Sequence, residues 1–110
     1  MKNPTPAQAR KALKSLVSAL ALPSDSFDIR ANKVNGTPME ITLHAEHLYI
    51  QVSMNPYEKP VLVRSCKNRK DYGGTNNNMA TMVDLESPRF AERCKPLIEA
   101  KGNGICFLRP

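Results

Sequence analysis

Two runs of alternating apolar residues, out of phase with each other, constrain this chain more than any other feature. Ile41, Leu43 and Ala45 fall on odd positions, whereas Leu48, Ile50, Val52 and Met54 fall on even ones. Successive side chains of a strand point to opposite faces, so one strand carrying both runs would turn its apolar side over halfway. A tight turn or a bulge is therefore expected at Ala45-Glu46-His47. A turn fits better, because an unbroken strand would be unusually long. Upstream, Phe27, Ile29 and Ala31 alternate with Asp28, Arg30 and Asn32, and Asn35-Gly36 follows as a hairpin-turn dipeptide. Asn55 to Pro60 reads as a loop by its prolines, and Val61-Leu62-Val63 begins a further strand. The pattern is that of an antiparallel meander.

Helical signals flank it. Thr5-Pro6 reads as an N-cap followed by proline at the first helical position, and Ala9, Leu13, Leu16, Val17 and Leu20 then recur on one helical face. Arg10, Lys11 and Lys14 lie on the opposite side, and Pro23 stops the helix. Ser87-Pro88 repeats the cap-plus-proline signal before Phe90, Ala91, Cys94, Leu97 and Ile98. Pro96 should kink or shorten that second helix, and Gly102 is a natural stop. Ile105 to Leu108 has room for a short closing strand. The expected architecture is α+β in a single domain over 1–110: an N-terminal helix, a meander of three or four strands, a long basic loop and a C-terminal helix. The helices should cover one face of the sheet.

Composition bears on partners. The chain carries 16 Lys and Arg against 10 Asp and Glu, a formal charge of +6. That balance favours nucleic acid or an acidic protein surface, and less readily an anionic membrane. No apolar run approaches the ~18 residues of a membrane-spanning helix. Cys66, Cys94 and Cys106 are odd in number and form no CxxC pair, which points to buried thiols in a reducing compartment. We expect a mature N-terminus and a cytoplasmic location, in a bacterial host given the resemblance described below.

The candidate site is the run Cys66-Lys67-Asn68-Arg69-Lys70-Asp71-Tyr72-Gly73-Gly74-Thr75-Asn76-Asn77-Asn78. Arg64, Lys67, Arg69 and Lys70 supply cations where a strand ends, and Tyr72 offers a stacking face. Gly73 and Gly74 let backbone N–H groups approach an anion, and Asn76 and Asn77 add amides that donate and accept. Cations directed at phosphate, with a stacking aromatic, suit single-stranded or irregular nucleic acid. The same residues also suit a plain basic turn in which Asn and Gly supply left-handed backbone. No phosphate-binding GxxxxGK[ST] loop is present. His44 and His47 would point to opposite faces of a continuous strand and converge only around a turn, so they read as surface histidines before they read as metal ligands. A nucleophilic pairing of Cys66 with His44 rests on coexistence alone. The carboxylates are scattered singly. These features call for no cofactor, no metal and no enzymatic activity.

The run from Arg64 to Gly74, with the asparagines after it, resembles a segment of small uncharacterised bacteriophage and prophage proteins. There an R[ST]CKxRKDYxGG-like core precedes Asn and a short hydrophobic helix start, a place that Asp84-Leu85-Glu86-Ser87-Pro88 fits here. The resemblance covers the C-terminal half and implies a mobile-element origin. Such proteins include nucleic-acid binders and inhibitors of host defence machinery. The expectation is therefore an accessory protein that binds nucleic acid, or a complex handling it, through the basic loop. A protein-binding inhibitor or adaptor, and a homodimer joined at a free sheet edge, stay open beside it.

Overall fold

The computed structural model describes residues 3–110. Helix α1 (Pro6–Ala19) begins where the sequence places it: Thr5 Oγ1 accepts from the Gln8 N–H at 3.1 Å, and Pro6 occupies the first turn. Ala9, Ala12, Leu13, Leu16 and Val17 form its buried side. The sheet comprises β1 (Phe27–Val34), β2 (Thr37–Ala45), β3 (Leu48–Ser53), β4 (Val61–Ser65) and β5 (Asn78–Ala80), antiparallel and in chain order. Helices α2 (Met82–Glu86) and α3 (Phe90–Ala100) complete the chain. The α+β expectation holds, with five strands in place of three or four.

Register follows from apolar phase. Asn35 and Gly36 turn the first hairpin with φ of 52° and 79°, the left-handed pair that such a turn needs. Val34 faces Thr37, and continuing that pairing unchanged would set odd residues against even ones. The alternating apolar residues, Phe27, Ile29 and Ala31 in β1 and Ile41, Leu43 and Ala45 in β2, are odd, so their side chains share a face only if the register slips by one. A bulge at Asn32/Lys33 supplies the slip, bringing Ile29 opposite Leu43 and Ala31 opposite Ile41. The next turn, Glu46-His47, changes phase as the sequence requires, so that Leu43 faces Ile50 and Ile41 faces Val52. Ile50 and Val52 then meet Val63 and Val61.

This apolar face receives the helices, with α1 against β1 and β2 and α3 against β4. Leu13, Ile41, Leu43, Leu48, Ile50, Val61, Val63, Phe90 and Leu97 are all at most 1% exposed and form the core. Among the described residues no helix packs on the opposite face.

Three local expectations are corrected. The run through Met79 is not all loop: Asn78–Ala80 pairs with Val61–Val63, too short a strand for periodicity to register. Ile105 to Leu108 forms no strand. The Ser87-Pro88 signal does not open a helix directly. The first C-terminal helix starts earlier, at a capping box in which Thr81 Oγ1 accepts from Asp84 N–H and the Asp84 carboxylate accepts from Thr81 N–H. Ser87 closes α2, and α3 starts at Phe90 without a side-chain cap. Pro96 lies inside α3, which continues to Ala100. Lys101 and Gly102 then take left-handed conformations, as the Gly102 stop signal anticipates.

Candidate nucleic-acid interface

The segment joining β4 to β5 is built around its own carboxylate. Asp71 accepts from the Lys67 N–H at 2.9 Å and from the Gly74 N–H at 3.0 Å. Those backbone hydrogen bonds, Lys67 first, hold the Asp71 carboxyl below the ordinary aspartate value. The Gly74 N–H, one of the backbone donors expected to approach an anion, is therefore engaged by a carboxylate of the same loop. Gly74 has φ of 59°, and a Cβ there would lie 2.8 Å from the Ser65 carbonyl oxygen. Its role is close packing against β4. Asn68 Oδ1 accepts from the Lys70 N–H at 2.8 Å and tightens the turn further.

The cations divide into two groups. Arg64 donates from Nε to Asn77 Oδ1 at 2.6 Å and from Nη1 to the Tyr72 carbonyl at 3.1 Å, so it props the loop from the sheet. Arg69 reaches away, donating to the Asp25 carbonyl at 3.0 Å and to the Asp28 carboxylate, which ties the loop tip to the start of β1. The Lys67 and Lys70 ammonium groups take part in no hydrogen bond or ion pair among the described residues. Arg64 and Arg69 thus shape the loop that Lys67 and Lys70 present.

The asparagines point inward. Asn76 exchanges two hydrogen bonds with the Cys106 backbone, at 2.8 and 2.9 Å. Asn78, itself buried, donates to the Cys106 carbonyl at 3.0 Å and accepts from the Leu108 N–H at 3.1 Å. These amides stand in for a neighbouring strand, so the C-terminal segment is held beside β5 by side chains. Asn76 thus fastens the C-terminal segment, whereas Asn77 is exposed and accepts from Arg64 Nε through its Oδ1. The end of α3 is tied to β4 through Ser65, whose Oγ accepts from the Gly102 N–H at 2.8 Å and donates to the Leu97 carbonyl at 2.5 Å.

The loop folds toward the helix-free face of the sheet, where one cross-strand row runs Asp28, His44, Tyr49, Arg64. Tyr72 joins this row from the loop. Its ring meets His44 edge-on with centroids 5.5 Å apart, and His44 meets Tyr49 likewise at 4.9 Å. The Arg64 guanidinium stands 5.7 Å from the Tyr49 ring centroid. Tyr72 is 60% exposed. Burial, and then the charge of Arg30, lower the His44 pKa, so the imidazole is neutral near pH 7. Partial desolvation of Asp28 works in the other direction, but the hydrogen bond and charge of Arg69, and then of Arg30, keep that carboxyl below the ordinary value.

Asp28, Arg30, His44 and Tyr49 were missed as site residues. Their signal is the polar half of each alternating strand, but only the bulge-corrected register lines them up. Asp28, Arg30, His44, Arg69, Lys70 and Tyr72 together enclose an open cavity of about 270 Å³.

Other chemistry recedes. His44 and His47 part company across the turn, since His47 Nδ1 lies 3.1 Å from the Cys66 carbonyl oxygen. No three His, Cys, Asp or Glu among the described residues are grouped to hold a metal ion. Cys66 and Cys94 are buried, and burial pushes their thiols up to about 11 and about 12, far from the thiolate a nucleophile requires. No helix among the described residues is long and apolar enough to cross a membrane. Compared with protein-family models, with curated proteins and with solved structures, the chain has no match.

Proposed function

We propose that the protein binds unpaired nucleic acid across the helix-free face of the sheet, with the basic loop as one rim. The observation that carries this reading is the placement of Tyr72. It is a well-exposed aromatic ring, supported edge-on by His44, on a loop whose two unpaired lysines lie within five residues of it. A base stacks on such a ring only when it is out of a duplex, and stacking of this kind tolerates any sequence. Arg30, Arg69 and Lys70 line the cavity with Tyr72, and Arg64 donates to the Tyr72 carbonyl, against the Asp28 and Asp71 carboxylates, so this rim carries a net positive charge. In this reading Lys70 and Arg30, the latter also bonded to Asp28, would meet phosphate beside the ring, and Lys67 would meet it farther along the loop, beside the end of α3. In the setting implied by the phage-type resemblance, the protein is an accessory factor that acts on nucleic acid or on a complex handling it.

The edge of the sheet bears on the homodimer alternative. β1 is a free edge of eight residues, but it carries a bulge and Lys33, devices by which edge strands avoid pairing with another chain. This weighs against a second copy joining there.

Fluorescence anisotropy with short single- and double-stranded DNA and RNA at two salt concentrations tests the reading. Three phosphate contacts on a single strand give a log–log salt slope of about −2. Single strands should bind more tightly than duplexes, and the Lys67→Ala/Lys70→Ala/Tyr72→Ala variant should lose that binding. No binding at low salt would overturn the reading and turn the search to acidic protein partners.

A further inference from the structure

Resting on that reading, we infer that the cavity beside Tyr72 takes a single unpaired guanine and gives the protein a base preference at one position of the strand. Its volume, about 270 Å³, falls just below the range of about 300–1,000 Å³ usual for small-molecule sites, which suits a base better than a whole nucleotide. Tyr72 and His44 contribute aromatic rings to its lining, and the remaining groups are polar.

The chemistry of those polar groups selects among bases. Arg30, Arg69 and Lys70 can only donate, whereas Asp28 can only accept when ionised. Asp28 Oδ2 receives both Arg30 and Arg69, while Oδ1 receives no hydrogen bond among the described residues. One carboxylate oxygen of a cavity-lining residue is thus left without a donor, in a lining that also holds Arg30, Arg69 and Lys70. Guanine carries two adjacent donors, N1–H and the N2 amine, on its Watson–Crick edge, and acceptors at O6 and N7 beyond them. A carboxylate oxygen set between those two donors can accept from both, with the O6 lone pairs lying outside the pair on the far side of N1–H. On adenine and cytosine the amine adjoins a ring-nitrogen acceptor, and on thymine or uracil the single N–H lies between two carbonyl oxygens, so a carboxylate is repelled at close range. Arginine and lysine pairing with guanine O6 and N7 is the commonest base contact of cationic side chains.

The experiment holds the protein constant and varies the base. A labelled heptamer of thymidines is compared with versions carrying guanine, inosine, adenine or cytosine at the centre. We expect guanine to tighten binding by about tenfold over thymine, within the discrimination usual for one well-matched base. Inosine, which keeps N1–H and loses the N2 amine, should fall between the two. Asp28→Asn should bring the guanine-to-thymine ratio close to one. A ratio is unaffected by any general loosening of the loop tip that loss of the Arg69 partner causes, and inosine asks the same question of the unaltered protein. Heptamers that all bind alike would overturn the guanine assignment and leave single-strand binding standing. Heptamers that do not bind at all would overturn single-strand binding, and this inference with it.

Discussion

The two halves of the β4–β5 connection are composed of similar polar residues and are used in opposite ways. From Cys66 to Tyr72 the chain closes on itself around Asp71 and turns Lys67, Lys70 and Tyr72 outward. From Gly73 to Asn78 it turns its amides inward, to Arg64 and to the C-terminal segment. Asparagine and lysine both look like ligand groups in a sequence. The difference between them here lies in length and desolvation. A short amide with two donors and an acceptor can replace a strand partner inside the fold, whereas a lysine ammonium is rarely buried without a counter-charge. A polar run in a long loop is therefore as well suited to holding a neighbouring segment as to holding a ligand.

The comparison is broken most severely at the joint the two halves share. A Cβ at Gly102 would lie 2.5 Å from the Lys67 backbone nitrogen and 2.8 Å from the Cys66 carbonyl carbon, on a residue with φ of 77°. Gly102→Ala should therefore destabilise the protein by about 3 kcal/mol, combining left-handed strain with backbone displacement. Urea unfolding would show this as a lowered midpoint, and a midpoint close to the parent's would mean that α3 is not anchored to the loop in this way. Next in size is Asn78→Ala. It removes a buried amide and strands the Leu108 N–H, while the Cys106 carbonyl keeps only Asn76 as a donor, for a cost of about 2 kcal/mol. The C-terminal residues should also become more susceptible to carboxypeptidase. Unchanged digestion would show that the segment is held by something other than the asparagines.

How much of this was legible in the sequence depends on whether a residue's partner lies near it in the chain. The turns at Asn35-Gly36 and Glu46-His47, the cap at Thr5 and the apolar face of each strand are local, and alternation or spacing reveals them. The bulge at Asn32/Lys33 is implied by the odd phase on both sides of a two-residue turn, though only once the turn is fixed. The roles of Asn76 and Asn78 are not legible, because their partners Cys106 and Leu108 lie about thirty positions away, in a stretch whose apolar run suggests a closing strand that does not form. The same holds for Arg69, which meets Asp28 across 41 positions. Within the candidate loop Lys67, Lys70 and Tyr72 stand outward, Arg64, Arg69, Gly74, Asn76 and Asn77 are engaged in contacts within the fold, and the register that brings the sheet face beside the loop cannot be read from the loop's own residues.

A smaller effect sharpens the account of the outward half. His44 supports Tyr72 as a neutral ring, and its pKa in the folded protein lies below the ordinary 6.5. The unfolded chain then binds the proton more readily, so this group costs no stability above about pH 6.5 and some below it. Stability should decline as pH falls from 6.5 toward the folded-state value, and level off beneath it. His44→Gln should remove that step while leaving the later loss of stability as carboxylates protonate. Thermal melts from pH 7.5 to 4.5 would show it, and an identical profile in the variant would mean that His44 is not held neutral against Tyr72.

The smallest expected change in stability comes from the lysines, and it is the one on which the comparison rests. Lys67 and Lys70 have no partner among the described residues, so Lys67→Ala and Lys70→Ala should each alter stability by less than about 0.5 kcal/mol, the usual range for exposed substitutions. On single-stranded nucleic acid each should instead make the log–log salt slope shallower by about 0.7, the signature of one lost phosphate contact. Together with Asn78→Ala this gives a double dissociation between the halves, one changing binding without stability and the other changing stability first. If Lys67→Ala lowered the urea midpoint as far as Asn78→Ala, the lysine would belong to the scaffold. The outward half would then be reduced to Lys70 and Tyr72, and even with Arg30 two phosphate contacts would give a salt slope of only about −1.4, so a measured slope near −2 would require a cation outside this set.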